Sequence, residues 1–138
     1  WLLRSQAVHA PNYTPAKLAE LECRIDAHLK GLKVAGEAGW EICARGLEAG
    51  DAGEVFAASM LALDGGSKER LEHVLGAVEA APEKARGMIS ALGWRPFQAA
   101  KPAADQLLAA EPPARKRIGL AAYAIHRKDP GRGLDDWP

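Results

Sequence analysis

Residues 82–92 read PEKARGMISAL, and residues 113–123 read PARKRIGLAAY. Aligned proline under proline, the two stretches lie 31 positions apart, and arginine falls on arginine at Arg86 and Arg117. Self-similarity at a fixed period indicates repeated structural units. The aligned pairs that follow are small or apolar in both copies: Ile89 with Leu120, Ala91 with Ala122, and Leu92 with Tyr123.

A weaker copy lies another 31 residues towards the N terminus. Residues 51–61 read DAGEVFAASML, which places Asp51 under Pro82 and Ser59 under Ser90. Aspartate caps helices and proline suits the first helical turn, so these copies begin where helices begin. The first two copies continue as a helix, a turn and a second helix, whereas the last copy is cut short.

The repeat predicts an all-α protein made of antiparallel helical hairpins stacked in a row. One hairpin cannot bury its apolar face alone, so neighbouring hairpins must stack. Proline at the helix start with arginine four residues on is similar to the HEAT repeat. We expect a single domain over 1–138, with an N-terminal hairpin at 14–50 and HEAT-like repeats of about 31 residues at 51–138. An irregular helical bundle is the alternative, because alanine-rich helices align easily.

Local patterns set the expected helix limits. Thr14 and the proline after it predict the start of an amphipathic helix that ends near Gly31. No alternating apolar run is bounded by turns, so we expect no sheet. The remaining helices are expected at about 34–49, from a cap at Asp51 to a turn at 64–66, from a cap at Ser67, from Pro82 to Gly93, at about 103–110, and after Pro113.

Charge and composition exclude several classes of protein. Eighteen basic and eighteen acidic residues cancel, which argues against a broad surface for nucleic acid or anionic membrane. No apolar run approaches the roughly 20 residues that span a bilayer. Two cysteines define no disulfide framework, so a reducing bacterial cytoplasm is the expected location. The chain begins without methionine, and we expect it to be a piece of a longer solenoid.

The sequence contains no pattern typical of catalysis, of metal binding or of a cofactor. Cys23 and His28 are five residues apart on one helix and therefore point in different directions. Acidic pairs such as Glu37 and Glu41 are typical of solvated helix faces. Phosphate-loop spacing and the context of a nucleophile elbow are missing. We therefore expect no enzyme, no metal site and no cofactor.

An aromatic stretch is the first candidate for partner binding. Trp94, Arg95 and Phe97 combine two aromatic side chains with a guanidinium, and tryptophan and arginine are enriched at interface hot spots. Ordinary core packing is the alternative. Trp1 and Trp137 are expected to leave an exposed apolar patch where further repeats are missing.

A basic triplet, Arg115, Lys116 and Arg117, is the second candidate. With Arg127 and Lys128 it predicts a ridge that binds an acidic partner or a phosphate backbone. A solvated stretch at the start of a helix is the alternative.

Several stretches together resemble an uncharacterised bacterial family with HEAT-like repeats of the phycobilisome-lyase type. The resemblance covers most of the chain and implies a fold, with genes often linked to type VI secretion clusters. It implies no catalytic residue. The stretches are WLLR at 1–4, VHAPNY at 8–13, GEAGWE at 36–41, GEVFA at 53–57, SALGW at 90–94 and HRKDPG at 126–131.

Three functional hypotheses follow. The first is a non-enzymatic protein-interaction module, such as an adaptor for type VI secretion effectors or an immunity protein that neutralises a toxin. The second, suggested by related lyases, is a protein that handles a ligand or chromophore. The third is a DNA-binding protein that uses Arg115, Lys116 and Arg117.

Overall fold

A computed structural model describes residues 1–131, and these residues form helices and no strand. Within that range no helix combines the length and the apolar character that crossing a bilayer requires. The helices are α1 Leu2–Ala7, α2 Pro15–Val34, α3 Glu37–Ala49, α4 Ala52–Gly65, α5 Lys68–Ala80, α6 Ala85–Trp94, α7 Phe97–Leu108 and α8 Pro113–Ile125, with a 3-10 turn at Pro82–Lys84 before α6.

Side-chain caps start three of these helices, as the sequence predicted. The Thr14 hydroxyl accepts a hydrogen bond from the amide three residues on, and Ser67 does the same at α5. Asp51 accepts from the Gly53 amide at 2.6 Å, while Glu54 accepts from the Asp51 amide at 2.8 Å, which completes a capping box. Each cap satisfies amides that the first helical turn leaves without partners.

The helix α4 lies at the centre of the fold. It packs against α2, α3, α5 and α6, and its side chains are therefore buried on almost every side. α6 then packs against α8, and α8 against α7. α4 begins at Ala52, the 3-10 turn before α6 at Pro82, and α8 at Pro113. The buried side chains of α4 are Ala52, Val55, Phe56, Ala58, Ser59, Met60, Leu61 and Ala62.

Three glycines let helices touch backbone to backbone, and the first is Gly39 of α3, where a Cβ would overlap the Leu32 carbonyl of α2. A Cβ on Gly87 of α6 would overlap the Ala52 carbonyl of α4. A Cβ on Gly119 of α8 would lie 2.6 Å from the Leu108 amide and 2.8 Å from the Ala104 carbonyl of α7. The close α2–α3, α4–α6 and α7–α8 contacts therefore require glycine at these positions.

Several expected helix limits were wrong. α2 continues past Gly31 to Val34. A helix interior tolerates glycine at a modest cost in free energy, and an ion pair from Lys33 to Asp64 stabilises the last turn. α4 likewise extends through the expected turn as far as Gly65, and α6 ends at Trp94 rather than one residue earlier.

The helix expected at 103–110 in fact begins at Phe97 and contains Pro102. A proline inside a helix removes one hydrogen bond and crowds the carbonyl four residues back. Pro102 and Gln98 are both exposed, so this stretch of α7 lies at the surface. Burial of Ala104 and Leu107 offsets the cost.

The apolar patch expected at Trp1 involves other side chains of the same end: Trp1 is half-buried, whereas Leu2, Leu3 and Val8 are exposed. The Trp1 ring stacks on Phe56 of α4, with centroids 5.6 Å apart and 21° between the planes. The Arg86 guanidinium also lies 5.6 Å from the Trp1 ring centroid. Trp137 lies outside the described residues.

Candidate functional site

Trp94 connects the end of α6 to three other parts of the fold. Its indole nitrogen donates a hydrogen bond to Asp26 Oδ1 at 3.0 Å. Its ring meets Phe56 edge to face, with centroids 5.5 Å apart, and the Arg4 guanidinium lies 5.6 Å from it. Internal partners therefore occupy much of this half-buried side chain.

An ion pair holds Arg95 on the same side of the fold. Its guanidinium pairs with Asp64 at the end of α4, and Asp64 also pairs with Lys33 of α2. The Arg95 side chain is only 14% exposed, and burial lowers its pKa. Its Nε is buried with no hydrogen-bond partner among the described residues. This arginine joins α2 and α4 to the loop that follows α6.

Phe97 packs in an aromatic cluster at the start of α7. Its ring lies 5.4 Å from Tyr123 and 5.3 Å from His126, between centroids. The Lys128 ammonium lies 5.9 Å from the ring, and His126 Nε2 is 3.0 Å from the Leu92 carbonyl. Trp94, Arg95 and Phe97 thus have fold-stabilising contacts, and partner binding by them stays a prediction.

Of the three residues in the basic triplet, Arg115 forms ion pairs in the described part of the chain. Arg115 donates to Glu79 at 2.6 Å and to Glu72 at 2.9 Å, both on α5. The hydrogen bond to Glu79 raises the pKa of Arg115 and lowers that of Glu79. Lys116 is half-buried and Arg117 is exposed. Because Arg115 faces two carboxylates, the structure does not bring the triplet together as one free basic ridge.

A polar network between α7 and α8 was not predicted. The Tyr123 hydroxyl donates to Asp105, whose other oxygen accepts from Lys101 at 2.6 Å. The hydrogen bonds from Lys101 and Tyr123 lower the pKa of Asp105, while the bond to Asp105 raises the pKa of Tyr123. The network fastens α8 onto α7 and lies outside every cleft described below.

No sequence pattern predicted the groove that lies between α3 and α5. These helices run in the same direction, as two contacts show. Glu37 pairs with Arg70 near their first turns, and the Lys84 ammonium donates to the Leu47 carbonyl at 3.5 Å near their ends. Two adjoining clefts, of about 420 and 520 Å³, share His73 and follow the helices. We call this feature the α3–α5 groove; its lining includes Glu37, Trp40, Leu47, Glu48, Glu69, Arg70, Glu72, His73, Gly76, Ala77, Ala80 and Lys84.

One end of the α3–α5 groove is built around Trp40. The Arg70 guanidinium lies 5.0 Å above the indole ring, and the His73 ring meets it edge-on at 5.9 Å. Arg70 also holds the Glu37 carboxylate. The indole is 8% exposed, so the aromatic ring forms the floor and the charged groups form the rim.

The other end of the α3–α5 groove is shallow and apolar. Leu47 is buried beneath it, and Gly76, Ala77 and Ala80 present small surfaces along α5. Of the acidic pair that the sequence placed on one face of α3, Glu37 lines the groove. The pairing of that face with α5 depends on tertiary packing, which the pattern does not contain.

The two cysteines lie in different environments. Cys23 is exposed on α2, whereas Cys43 is buried on α3, and burial raises the pKa of its thiol. Within residues 1–131, no three histidine, cysteine or acidic side chains come close enough to hold a metal ion.

No family model, no curated protein and no solved structure matches this chain.

Proposed function

We propose that this chain is a non-enzymatic protein-interaction module of HEAT-like stacked hairpins. The observation that carries the proposal is the α3–α5 groove, an open channel between two helices that run in the same direction. Its floor carries Trp40 and its rim carries charged side chains. Open grooves with an aromatic floor and a polar rim suit a partner's side chains better than a small substrate.

The repeat geometry supports the HEAT-like part of the proposal. The starts of α4, the turn before α6 and α8 are spaced as the sequence repeat requires, and α6 packs on both α4 and α8. Helices that stack in this way present their other faces as an extended surface.

We further propose an adaptor role for type VI secretion effectors in the bacterial cytoplasm. This assignment rests on the sequence resemblance to a family linked to such gene clusters. An immunity protein is the second candidate, since a groove with acidic walls would also cover a basic surface on a toxin.

The other two hypotheses receive less support. A DNA-binding role needs free cations, yet Arg115 holds two glutamates. A lyase-like role needs a pocket that encloses its ligand, and the clefts along α3 and α5 are open to solvent.

The test is to purify the tagged full-length protein from its native cell and identify co-purifying proteins by mass spectrometry. A candidate partner is then produced separately, and the complex is rebuilt from pure components and measured by light scattering. A stoichiometric complex with an effector, toxin or secretion component supports the proposal. A tightly bound small molecule with no protein partner would instead favour the ligand-handling function.

A further inference from the structure

We propose that the α3–α5 groove binds a basic amphipathic helix of the partner protein. The inference rests on the proposed interaction function and adds the chemistry of the partner. Apolar side chains of the bound helix lie on Leu47, Gly76 and Ala80, and its lysines or arginines face the acidic walls.

Gly76 is the first observation that supports a bound helix. It lies inside α5, is exposed, and has no atom within 4 Å of the position that a Cβ would take. Glycine weakens a helix interior, so a packing reason is expected for it. Gly87 and Gly119 have such a reason, because neighbouring backbones touch them. The fold supplies none for Gly76 or for Gly31, but Gly76 lies in the groove, where a bound helix would supply one.

The neighbouring small residues extend the same surface. Ala77 lies beside Gly76, and Ala80 follows one helical turn later. Small side chains allow another helix to approach closely, and Leu47 beneath them gives that helix an apolar floor. This part of the groove is therefore shaped for a helix with an apolar stripe.

The negative charge on the α3 wall indicates a positively charged partner segment. Glu37 and Glu48 line the groove along α3, and Glu41 lies on the same helix face by its spacing of four and seven residues from them. Arg70 neutralises Glu37. Glu41 and Glu48 are exposed and have no ion-pair partner among residues 1–131.

The α5 wall is also negatively charged. Glu69 is exposed without an ion-pair partner in the described part of the chain, and Arg115 alone serves both Glu72 and Glu79. The positively charged Lys84 lies at the far end of the groove, where its ammonium donates to the backbone carbonyl of Leu47. The walls together keep an excess of negative charge, which attracts a cationic segment.

Other modes of binding fit the groove less well. A partner strand needs a sheet edge for main-chain hydrogen bonds, and residues 1–131 contain no strand. A nucleic acid would bring phosphates against Glu48 and Glu69, which line the groove. A helix that presents lysines beside an apolar stripe can pack its apolar side chains on the groove floor and pair its lysines with the acidic walls.

The experiment uses the full chain and a fluorescent synthetic helix made of lysine and leucine in amphipathic order. A peptide of the same pattern with glutamate in place of lysine is the charge control. Affinity is measured by fluorescence anisotropy, and the contact is mapped by backbone amide shifts in NMR. We expect the lysine peptide alone to bind, with shifts along α3 and α5.

Two variants close or recharge the groove, and each has a matched control on α2. Gly76→Leu fills the floor; its control, Gly31→Leu, replaces another exposed helical glycine with open space around it. Glu48→Lys reverses a wall charge, and Glu20→Lys makes the same change in net charge elsewhere. We expect Gly76→Leu to weaken binding more than about tenfold and Glu48→Lys roughly fivefold, with both controls near wild type.

Several outcomes would overturn the inference: no binding of the lysine peptide, equal binding of the glutamate peptide, or equal losses in groove variants and controls. The proposed function is tested separately with a partner complex rebuilt from pure components. If Gly76→Leu leaves that complex intact, this inference fails while the interaction function stands. If no protein partner exists, the proposed function itself fails.

Discussion

Gly87 of α6 lies directly against the backbone carbonyl of Ala52 in α4, with no side chain between the two helices. A methyl group at Gly87 would have to push the helices apart. We therefore expect Gly87→Ala to lower the free energy of unfolding by about 1–3 kcal/mol, measured by urea denaturation followed by circular dichroism.

Gly76→Ala is the matched control for that substitution. The added methyl enters open space on α5, so only the gain in helix propensity remains. We expect it to raise the free energy of unfolding by about 0.5–1 kcal/mol. Equal effects at Gly76 and Gly87 would contradict the close α4–α6 contact.

Ser59 is fully buried in α4, and its hydroxyl has no hydrogen-bond partner among the described residues. An unsatisfied buried hydroxyl is destabilising, so Ser59→Ala should leave the free energy of unfolding unchanged or raise it by up to about 1 kcal/mol. Ser67→Ala, which removes the cap of α5, should lower it by about 0.5–2 kcal/mol. Thermal denaturation of both variants is the measurement, and a large loss at Ser59 would mean that its hydroxyl is bonded.

Arg115 makes part of the stability depend on pH. Its hydrogen bond keeps the pKa of Glu79 below the ordinary 4.5, so the pair stabilises the fold above that pH and loses its effect as pH falls through the lowered value. Arg115→Gln should therefore lower stability at neutral pH by up to about 1 kcal/mol, and the difference from wild type should shrink in acid.

The control for Arg115 is Arg117→Gln, on the same helix and exposed to solvent. Urea denaturation of both variants at neutral and acid pH is the measurement. If Arg117→Gln showed the same pH dependence, the pairing of Arg115 with α5 would be excluded as its cause.

The two cysteines should react at different rates with a thiol reagent such as Ellman's. Cys23 is exposed, whereas burial shields Cys43 and raises the pKa of its thiol, which disfavours the reactive thiolate. We expect one fast and one slow phase in the native protein and two fast reactions in denaturant. Cys23→Ser should remove the fast native phase; a fast phase that survives would place Cys43 at the surface.

Local sequence signals predicted the starts of the helices with side-chain caps well, for a physical reason. The caps at Thr14, Asp51 and Ser67 involve amides only two or three residues away, so the sequence contains both partners. The helix ends were harder. Gly31 and Pro102 weaken helices locally, yet both lie inside them, because packing and ion pairs elsewhere stabilise those helices.

The candidate site depended on contacts that no local pattern contains. The sequence showed an aromatic Trp94 and a basic Arg115, but their partners Asp26 and Glu79 come from distant helices. The α3–α5 groove likewise exists because α4 brings two separate helices alongside each other. Residue type suggested binding potential, and only the packing shows which surfaces remain open.

The central position of α4 limits how this chain can be divided. Because α2 and α3 cover one part of it and α5 and α6 cover others, neither the first hairpin nor the following helices can leave without exposing Phe56 and its neighbours to water. Residues 1–131 should therefore melt as one cooperative unit, with no partly folded state at equilibrium. Proteases that cut within α4 would yield two fragments that fold only when recombined.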